Sequence, residues 1–443
     1  MKIAVIGAGI AGLGAAWALS RSHEVTLFEC QDRLGGHANT KTVTLDDRPV
    51  AVDTGFIVYN ENNYPHLTRL FRHLQVPTIE SDMSFAVSLD EGRWEMAGRA
   101  GGLFGSPRQV VSLAHWRLLG HVARFFRHAE LALEDPLAEG ETLGAWLRRH
   151  RYDRDFVRRF LVPMAAAIWS SSAEGILDYP VRPFIAFFRN HGLLKFGRRV
   201  SWRTVAGGSA GYVSRLRGDM AAHVRTGEAV AAVMASSAGV RVVLDGGAIE
   251  RFDAAVLACH GNEAAALLAG DGDRERSRLL RSFRYQRNEA VLHGDSSLMP
   301  VRRRLWSSWN YSGADTIEGS RAIAVTYWMN RLQGIATRDQ VFVTLNPVRE
   351  PRPESVMARI AYDHPQFDLA AVEAQQRLGA IQGRGGIWLC GSYTGFGFHE
   401  DGLRSGLAVA AALGAPAPWW SDADTARDPW SAAVHGDREA RAA

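Results

Sequence analysis

The run Ile3-Ala4-Val5-Ile6-Gly7-Ala8-Gly9-Ile10-Ala11-Gly12 constrains this chain more than any other stretch. A short apolar β run enters a glycine turn and leaves it as a helix over residues 11–20. A second strand follows over residues 24–28 and ends at Glu29. Each glycine has a physical task. Gly7 permits a tight turn, Gly9 lets backbone approach a pyrophosphate, and Gly12 lets helix and strand pack closely. The helix N-terminus then faces the negative charge. Glu29 lies 29 − 7 = 22 residues after Gly7, where an acid accepts hydrogen bonds from ribose hydroxyls. Residues 3–20 are free of charge and so imitate a secretory segment or a membrane span. Four glycines interrupt them, and the first strand already belongs to the fold. The expectation is a cytoplasmic protein with no spanning helix.

At 443 residues the chain is long enough for two or three domains, at roughly 150 residues each. Hydrophobic residues at 47% and charged residues at 22% describe an ordinary globular chain, and a net charge of +4 is too small to imply a nucleic-acid partner. Cys30, Cys259 and Cys390 are far apart with no CxxC pair, which excludes a disulfide framework and a cysteine zinc site and fits a reducing compartment. His23-Glu24 and His399-Glu400 lack a second histidine four residues on, since Leu27 and Leu403 stand there, so no metal site is expected. Helical spacing dominates residues 103–152, paired strands fit 239–244 and 249–258, and β-branched and aromatic residues across 281–347 predict a second sheet. A buried strand over 386–390 and a helix over 403–413 close the pattern.

Three further motifs carry a resemblance. Glu29-x-x-x-Arg33-x-Gly35-Gly36-His37 resembles the pattern after the second strand in flavoproteins of the amine-oxidase and phytoene-desaturase superfamily, and Val52-Asp53-Thr54-Gly55-Phe56 resembles the element that follows it there. Trp388-Leu389-Cys390-Gly391-Ser392 with Glu400-Asp401-Gly402-Leu403-Arg404-Ser405-Gly406 resembles that superfamily's closing flavin motif. The resemblance implies FAD, held non-covalently because Cys390 is off the position of the covalent cysteine of some amine oxidases. It implies cofactor contacts from Gly7, Gly9, Ile10, Ala11, Gly12, Glu29, Arg33, Gly35, Gly36, His37, Thr54, Gly55, Phe56, Val230, Gly391, Ser392, Gly402, Leu403 and Ser405. The implied fold is α/β. A Rossmann-like FAD-binding domain comprises residues 1–80, 200–265 and 381–415. An interleaved substrate domain of mixed β-sheet plus helices comprises 81–199 and 266–380, and residues 416–443 form a loosely held tail.

Segments such as Trp306-x-x-Trp309-Asn310-Tyr311 and Tyr327-Trp328-Met329-Asn330-Arg331-Leu332-Gln333 are similar to a bacterial branch of NAD/FAD-binding proteins. That branch is itself similar to the flavoprotein region fused ahead of plant cyclopropane fatty acid synthases. The resemblance implies an FAD-dependent oxidoreductase that removes hydride from a C–H bond of an organic substrate, a fatty-acyl chain or other lipid. The alternatives are a flavin amine oxidase and a non-catalytic flavoprotein partner of a lipid methyltransferase. No second GxGxxG follows, so electrons are expected from the organic substrate and not from NAD(P)H through a second Rossmann unit.

Counted back from Asp401-Gly402, His399 falls about where amine oxidases place an aromatic cage residue over the flavin. An imidazole there can also move protons, so His399 is the catalytic candidate, against the plainer reading of a hydrogen-bonded loop histidine. Gly207-Gly208-Ser209-Ala210-Gly211 matches the serine-hydrolase elbow, but glycine pairs here also resemble the re-entry of related flavoproteins into the FAD domain, which is the preferred reading. Residues 116–128 and 184–199 are basic and aromatic. They suit either a helix on an anionic membrane surface, peripheral to an inner membrane, or a core-facing helix with a solvated basic edge, the commoner arrangement.

Overall fold

The structure is a computed structural model that describes residues 1–194, 200–315 and 321–427. Strand Lys2–Ile6 is buried almost throughout, as its unbroken Ile-Ala-Val-Ile run requires of a central parallel strand. It lies third in a five-stranded parallel sheet ordered His223–Thr226, Glu24–Glu29, Lys2–Ile6, Ala254–Leu257, Ile387–Leu389. The register sets Ile6 beside Phe28 on one side and Leu257 on the other. Gly7, Glu29 and Ala258 therefore meet at the carboxyl ends, where open α/β sheets bind ligands.

Seven helices position the site: α1 (Ile10–Leu19), α2 (Pro65–His73), α3 (Leu113–His128), α4 (Val162–Trp169), α5 (Val181–Asn190), α6 (Ala210–Asp219) and α7 (His399–Ala412). Every residue of α1 is buried. Its small residues allow α7 to lie almost on its backbone: a Cβ added at Gly406 would stand 2.1 Å from the Ala11 carbonyl oxygen. The second unit is a seven-stranded sheet ordered Val356–Gln366, Arg284–His293, Phe342–Leu345, Arg321–Trp328, Trp309–Asp315, Phe85–Leu89, Trp94–Ala97. Its pairs are antiparallel except for Trp309–Asp315 beside Phe85–Leu89. Buried side chains of α3, α4 and α5 share one apolar core with this sheet. A π-helical turn, Val157–Leu161, leads into α4, whose second residue is Pro163, and α4 stops at Ser170 in the left-handed region (φ 52°). Such turns cluster where a helix must present side chains to a site.

Two expectations need correction. Leu279, Leu280 and Phe283, with Ala371, Ala374 and Leu378, are buried in the core of the dinucleotide sheet. The apolar faces of helices Arg274–Arg281 and Leu369–Arg377 pack there, so the boundaries at 266 and 380 cut through one core. The chain after residue 416 is not loose over its described part. Trp419 stacks on Trp17 at 5.4 Å, Trp420 stacks on His66 at 5.2 Å, and Asp424 lies 3.6 Å from Arg69. Residues 428–443 of the expected tail lie outside the described residues. In the second basic stretch α5 turns Phe184, Ile185, Phe187 and Phe188 into the core, the commoner of the two arrangements expected for it. Lys195, Phe196, Arg198 and Arg199 of that stretch lie outside the described residues. Among the described residues no helix is long and apolar enough to cross a membrane.

Candidate active site

The dinucleotide loop is held by contacts that only glycine allows. Gly7 has φ +101°, and a Cβ there would sit 2.7 Å from the Ala258 carbonyl oxygen. Gly9 faces open space and precedes α1, whose first turn has no side-chain cap, so its backbone N–H donors are free for an anion. Glu29 accepts Ala8 N–H at 2.7 Å through Oε2 and Gln31 N–H at 2.9 Å through Oε1, which ties the acid to the loop. Arg33 donates from Nη2 to the Gly36 carbonyl at 2.9 Å, while its Nη1 is buried without a partner, as is His37 Nε2. Burial, with His364 and His260 nearby, holds the His37 imidazole well below its usual range. Gly55 is required because a Cβ there would meet the His37 carbonyl oxygen at 2.2 Å. The approach lets Phe56 N–H bond that oxygen at 2.7 Å.

One cavity of about 810 Å³ runs from this loop into the second unit. Its walls include Gly7, Gly9, Ile10, Ala11, Glu29, Arg33, Gly36, His37, Thr54, Gly55, Phe56, Val230, Gly391, Ser392, His399 and Gly402. Gly12, Gly35, Leu403 and Ser405, also expected at the cofactor, do not line it. Their work is packing. A Cβ on Gly12 would meet Gly7 oxygen at 1.8 Å, one on Gly35 would meet Ala38 oxygen at 2.6 Å, and Leu403 fills the space over Gly14. Ser405 accepts Gly391 N–H at 2.9 Å and donates to the Gly402 carbonyl at 2.8 Å, fastening strand end to helix.

His399 stacks flat on Phe56, with ring centroids 3.8 Å apart, and its Nε2 lies 2.8 Å from the Tyr212 hydroxyl. Burial lowers its imidazole to about 3. A ring held neutral so far below working pH is a weak proton acceptor, so its geometry favours orientation over proton transfer. We expect His399→Asn to change the rate of flavin reduction per bound flavin by less than about tenfold, against the 10²–10⁴-fold loss typical of a removed acid–base group. Anaerobic stopped-flow on flavin-loaded protein decides between them, a hundredfold loss restoring the proton-transfer role. Its neighbours Glu400 and Asp401 are structural. Glu400 accepts His66 and Leu67 N–H at the start of α2, and Asp401 accepts Phe396 and Phe398 N–H. Among the described residues no group of His, Cys, Asp or Glu is arranged to hold a metal.

Ser209 does follow strand Trp202–Val205 and precede α6, as a nucleophile elbow would. Its hydroxyl, however, donates to Asp53 Oδ1 at 2.7 Å and is buried outside the cavity. Its chemistry is a tether between segments, and the hydrolase reading falls.

A histidine that sequence reasoning missed has a fixed proton. Glu289 N–H donates to Asn346 Oδ1 at 2.9 Å, so Asn346 Nδ2 donates to Asn288 Oδ1 at 2.6 Å. Asn288 Nδ2 then donates to His364 Nδ1 at 2.7 Å, which leaves the proton of the neutral ring on Nε2. Burial lowers His364 to about 4, so this cavity-lining ring is a neutral N–H donor. Tyr362, two residues earlier on the same strand face, stacks on His37 at 4.8 Å and shares a hydrogen bond with Thr54 at 2.8 Å. The alternation Tyr362-x-His364 was the available signal. Beyond these groups the cavity becomes an apolar chamber, walled by Met83, Phe85, Met164, Ile168, Trp309 and Tyr327.

A sequence family described as an NAD(P)-binding Rossmann-like domain matches residues 5–74. A cyclohexylamine oxidase from Brevibacterium oxydans IH-35A is similar over 93% of this chain and 98% of that one, at 16% identity and a TM-score of 0.66. Wild-type putrescine oxidase bound to putrescine is similar over 93% and 99%, at 15% identity and 0.66. A CLA-producing fatty acid isomerase from P. acnes is similar over 91% and 96%, at 11% identity and 0.63. At such identities what is shared is the fold: a Rossmann-like nucleotide-binding unit with an interleaved mixed sheet.

Proposed function

We propose that this chain is an FAD-dependent oxidoreductase that oxidises a C–H bond of a long apolar substrate, a fatty-acyl chain or another lipid. The observation that carries this reading is the single cavity, polar around the dinucleotide loop and apolar in the second unit. The residues at the polar end suit FAD. Buried Arg33 Nη1 lacks a partner and is a donor suited to a diphosphate, His37 Nε2 is a further unpartnered buried atom, and the uncapped start of α1 adds more donors. Gly391, Ser392 and the start of α7 line the same space from the far end of the chain, where a bound flavin ring needs walls. Bound there, FAD supplies the two-electron acceptor for hydride from the substrate. The chain's own residues bind, orient and exclude water. Phe56 and His399 form a flat, rigid pair in the wall, His364 offers one fixed N–H, and the aromatic chamber keeps the substrate dry.

The solved amine oxidases of the same fold favour a second reading, amine oxidation. Against it, Glu29, Glu228, Glu263 and Asp363 line the nucleotide half, while Met83, Phe85, Met164, Ile168, Trp309 and Tyr327 of the chamber bring no carboxylate to a protonated amine. Desolvating such a cation without a partner is costly. Purified protein is expected to be yellow and to release intact FAD on acid treatment. Anaerobic long-chain acyl lipid should bleach the flavin band, and putrescine or cyclohexylamine should not. Bleaching by the amines alone would transfer the chain to the amine oxidases. Protein that refuses FAD ends the flavin reading altogether.

A further inference from the structure

From Met96 to Ala129 the chain carries no Asp or Glu, yet it holds Arg99, Arg108, Arg117, Arg124 and Arg127. This segment forms a corner where the short helix Pro107–Val110 meets α3. Large apolar side chains point outward at that corner. Val111 is 86% exposed and Leu113 84%, with Val110 and Trp116 half exposed beside them. The opposite face of α3 is ordinary core, with Leu118, Val122 and Phe125 buried. Trp116 is fixed: its Nε1 donates to the Val110 carbonyl at 2.8 Å, so the polar edge of the indole is satisfied within the corner while half of the ring stays open to solvent.

The cations around this knob are poorly neutralised. Among the described residues no carboxylate pairs with Arg108 or Arg127, and exposed Arg117 meets half-buried Asp153 only at 3.7 Å. Arg304 joins from the short 3-10 turn Arg303–Leu305 and donates to the carbonyls of Gly101, Phe104 and Gly105, while Arg99 donates to the Arg304 carbonyl. Backbone carbonyls leave both guanidinium charges uncancelled.

We propose that this corner docks the protein on an anionic phospholipid bilayer. Val110, Val111, Leu113 and Trp116 enter the headgroup–acyl boundary, and Arg108, Arg117 and Arg304 meet lipid phosphates. An apolar knob ringed by cations matches that layered chemistry, with tryptophan at the boundary and arginine at the phosphate depth. A protein partner of opposite charge would not require the outermost side chains to be valine and leucine. Docking by this corner does not depend on flavin chemistry, so its failure leaves the redox reading untouched.

The test is flotation of the full-length, flavin-loaded protein with vesicles of phosphatidylcholine alone or mixed with phosphatidylglycerol. The mixed vesicles should carry the protein and the neutral ones should not, with binding weakened by added salt. Val111→Asp/Leu113→Asp and Arg108→Glu/Arg117→Glu should each lower binding by about tenfold or more, with thermal unfolding unchanged. Ile249→Asp, exposed but outside this corner, should bind as wild type. Equal recovery with both vesicle types overturns the proposal, as does full binding by the Asp pair. If instead the wild type ignores vesicles but dimerises, and Leu113→Asp makes it a monomer, the corner is a protein contact and not a membrane dock.

Discussion

Gly406→Ala should yield protein that has lost its flavin and unfolds at markedly lower temperature. The added Cβ would lie 2.1 Å from the Ala11 carbonyl oxygen and 3.2 Å from Ala15 N, both in the backbone of α1. A side chain could swing away, but a helix backbone cannot, so α1 and α7 must separate. Overpacking typically costs about 1–3 kcal/mol, and a collision with main chain belongs at the top of that range or beyond. The two helices carry adjoining walls of the cavity, Ile10 and Ala11 on one and His399 and Gly402 on the other, so separation also spoils the cofactor cradle. Gly218→Ala is the control. Gly218 has nothing within 4 Å of an added Cβ and lies in α6, where alanine is neutral or stabilising by up to about 1 kcal/mol. Wild-type flavin content and melting in Gly406→Ala would mean that the seam is looser than described.

Acid should unfold this protein early, between about pH 6.5 and 4, and buried histidines are the cause. Burial lowers His191, His293 and His364 to about 4 and His399 to about 3, against 6.5 for a free imidazole. A group with a depressed folded pKa stabilises the fold above its unfolded value, and that contribution is lost as pH falls toward the folded one. Each of these histidines costs up to about 3 kcal/mol by pH 4, and a native domain has only ~5–15 kcal/mol in hand. Glu400 acts in the opposite direction. Burial raises it to about 7, so it favours the fold progressively as pH falls from 7 to 4.5, and Asp53 and Asp401 are raised too, but His37 and His66 join the lowered imidazoles and keep the balance against the fold. His293 allows a clean check away from the cavity. Its Nδ1 accepts Asp295 N–H at 3.0 Å, so its Nε2 donates to Thr344 Oγ1 at 2.7 Å, and protonation breaks the first bond. Melting temperatures at pH 7.5, 6 and 4.5 should fall steeply, and less steeply in His293→Gln. A flat profile over that window would refute the assignment.

The dinucleotide end was legible because its constraints are local. Turn, strand and helix of Gly7-x-Gly9-x-x-Gly12 are neighbours in sequence and Gly12 answers to the Gly7 carbonyl, although Gly7 itself packs on Ala258 from a distant strand and Gly9 faces open space. Gly12 was legible as a packing residue, whereas Gly35 was legible only as a cofactor contact, since one motif serves both purposes. Sequence could place His399 near the closing motif, but not its surroundings. Tyr212 is 187 residues away, and a spacing rule cannot report a ring that arrives from another segment. The Asn346–Asn288–His364 chain was opaque for a similar reason: alternating polar residues on a strand look like a solvated edge until the sheet buries them. Trp419 and Trp420 stood in a stretch whose Asp and Ala content suggested a frayed end, yet two aromatic rings were enough to pin it to α1 and α2.

The interleaving of the chain also has a consequence for its birth on the ribosome. One edge strand of the dinucleotide sheet, Ile387–Leu389, and the helix that closes the cavity, α7, come more than 360 residues after the strand and helix that begin the sheet. Until they emerge, the Ala254–Leu257 strand has an open edge and α1 lacks the surface that covers its glycines. Without them the cavity lacks the walls that Gly391, Ser392, His399 and Gly402 supply, so the site is complete only once the late segments have folded onto the early ones. A fragment that ends before residue 399 is therefore expected to be incompletely packed and aggregation-prone.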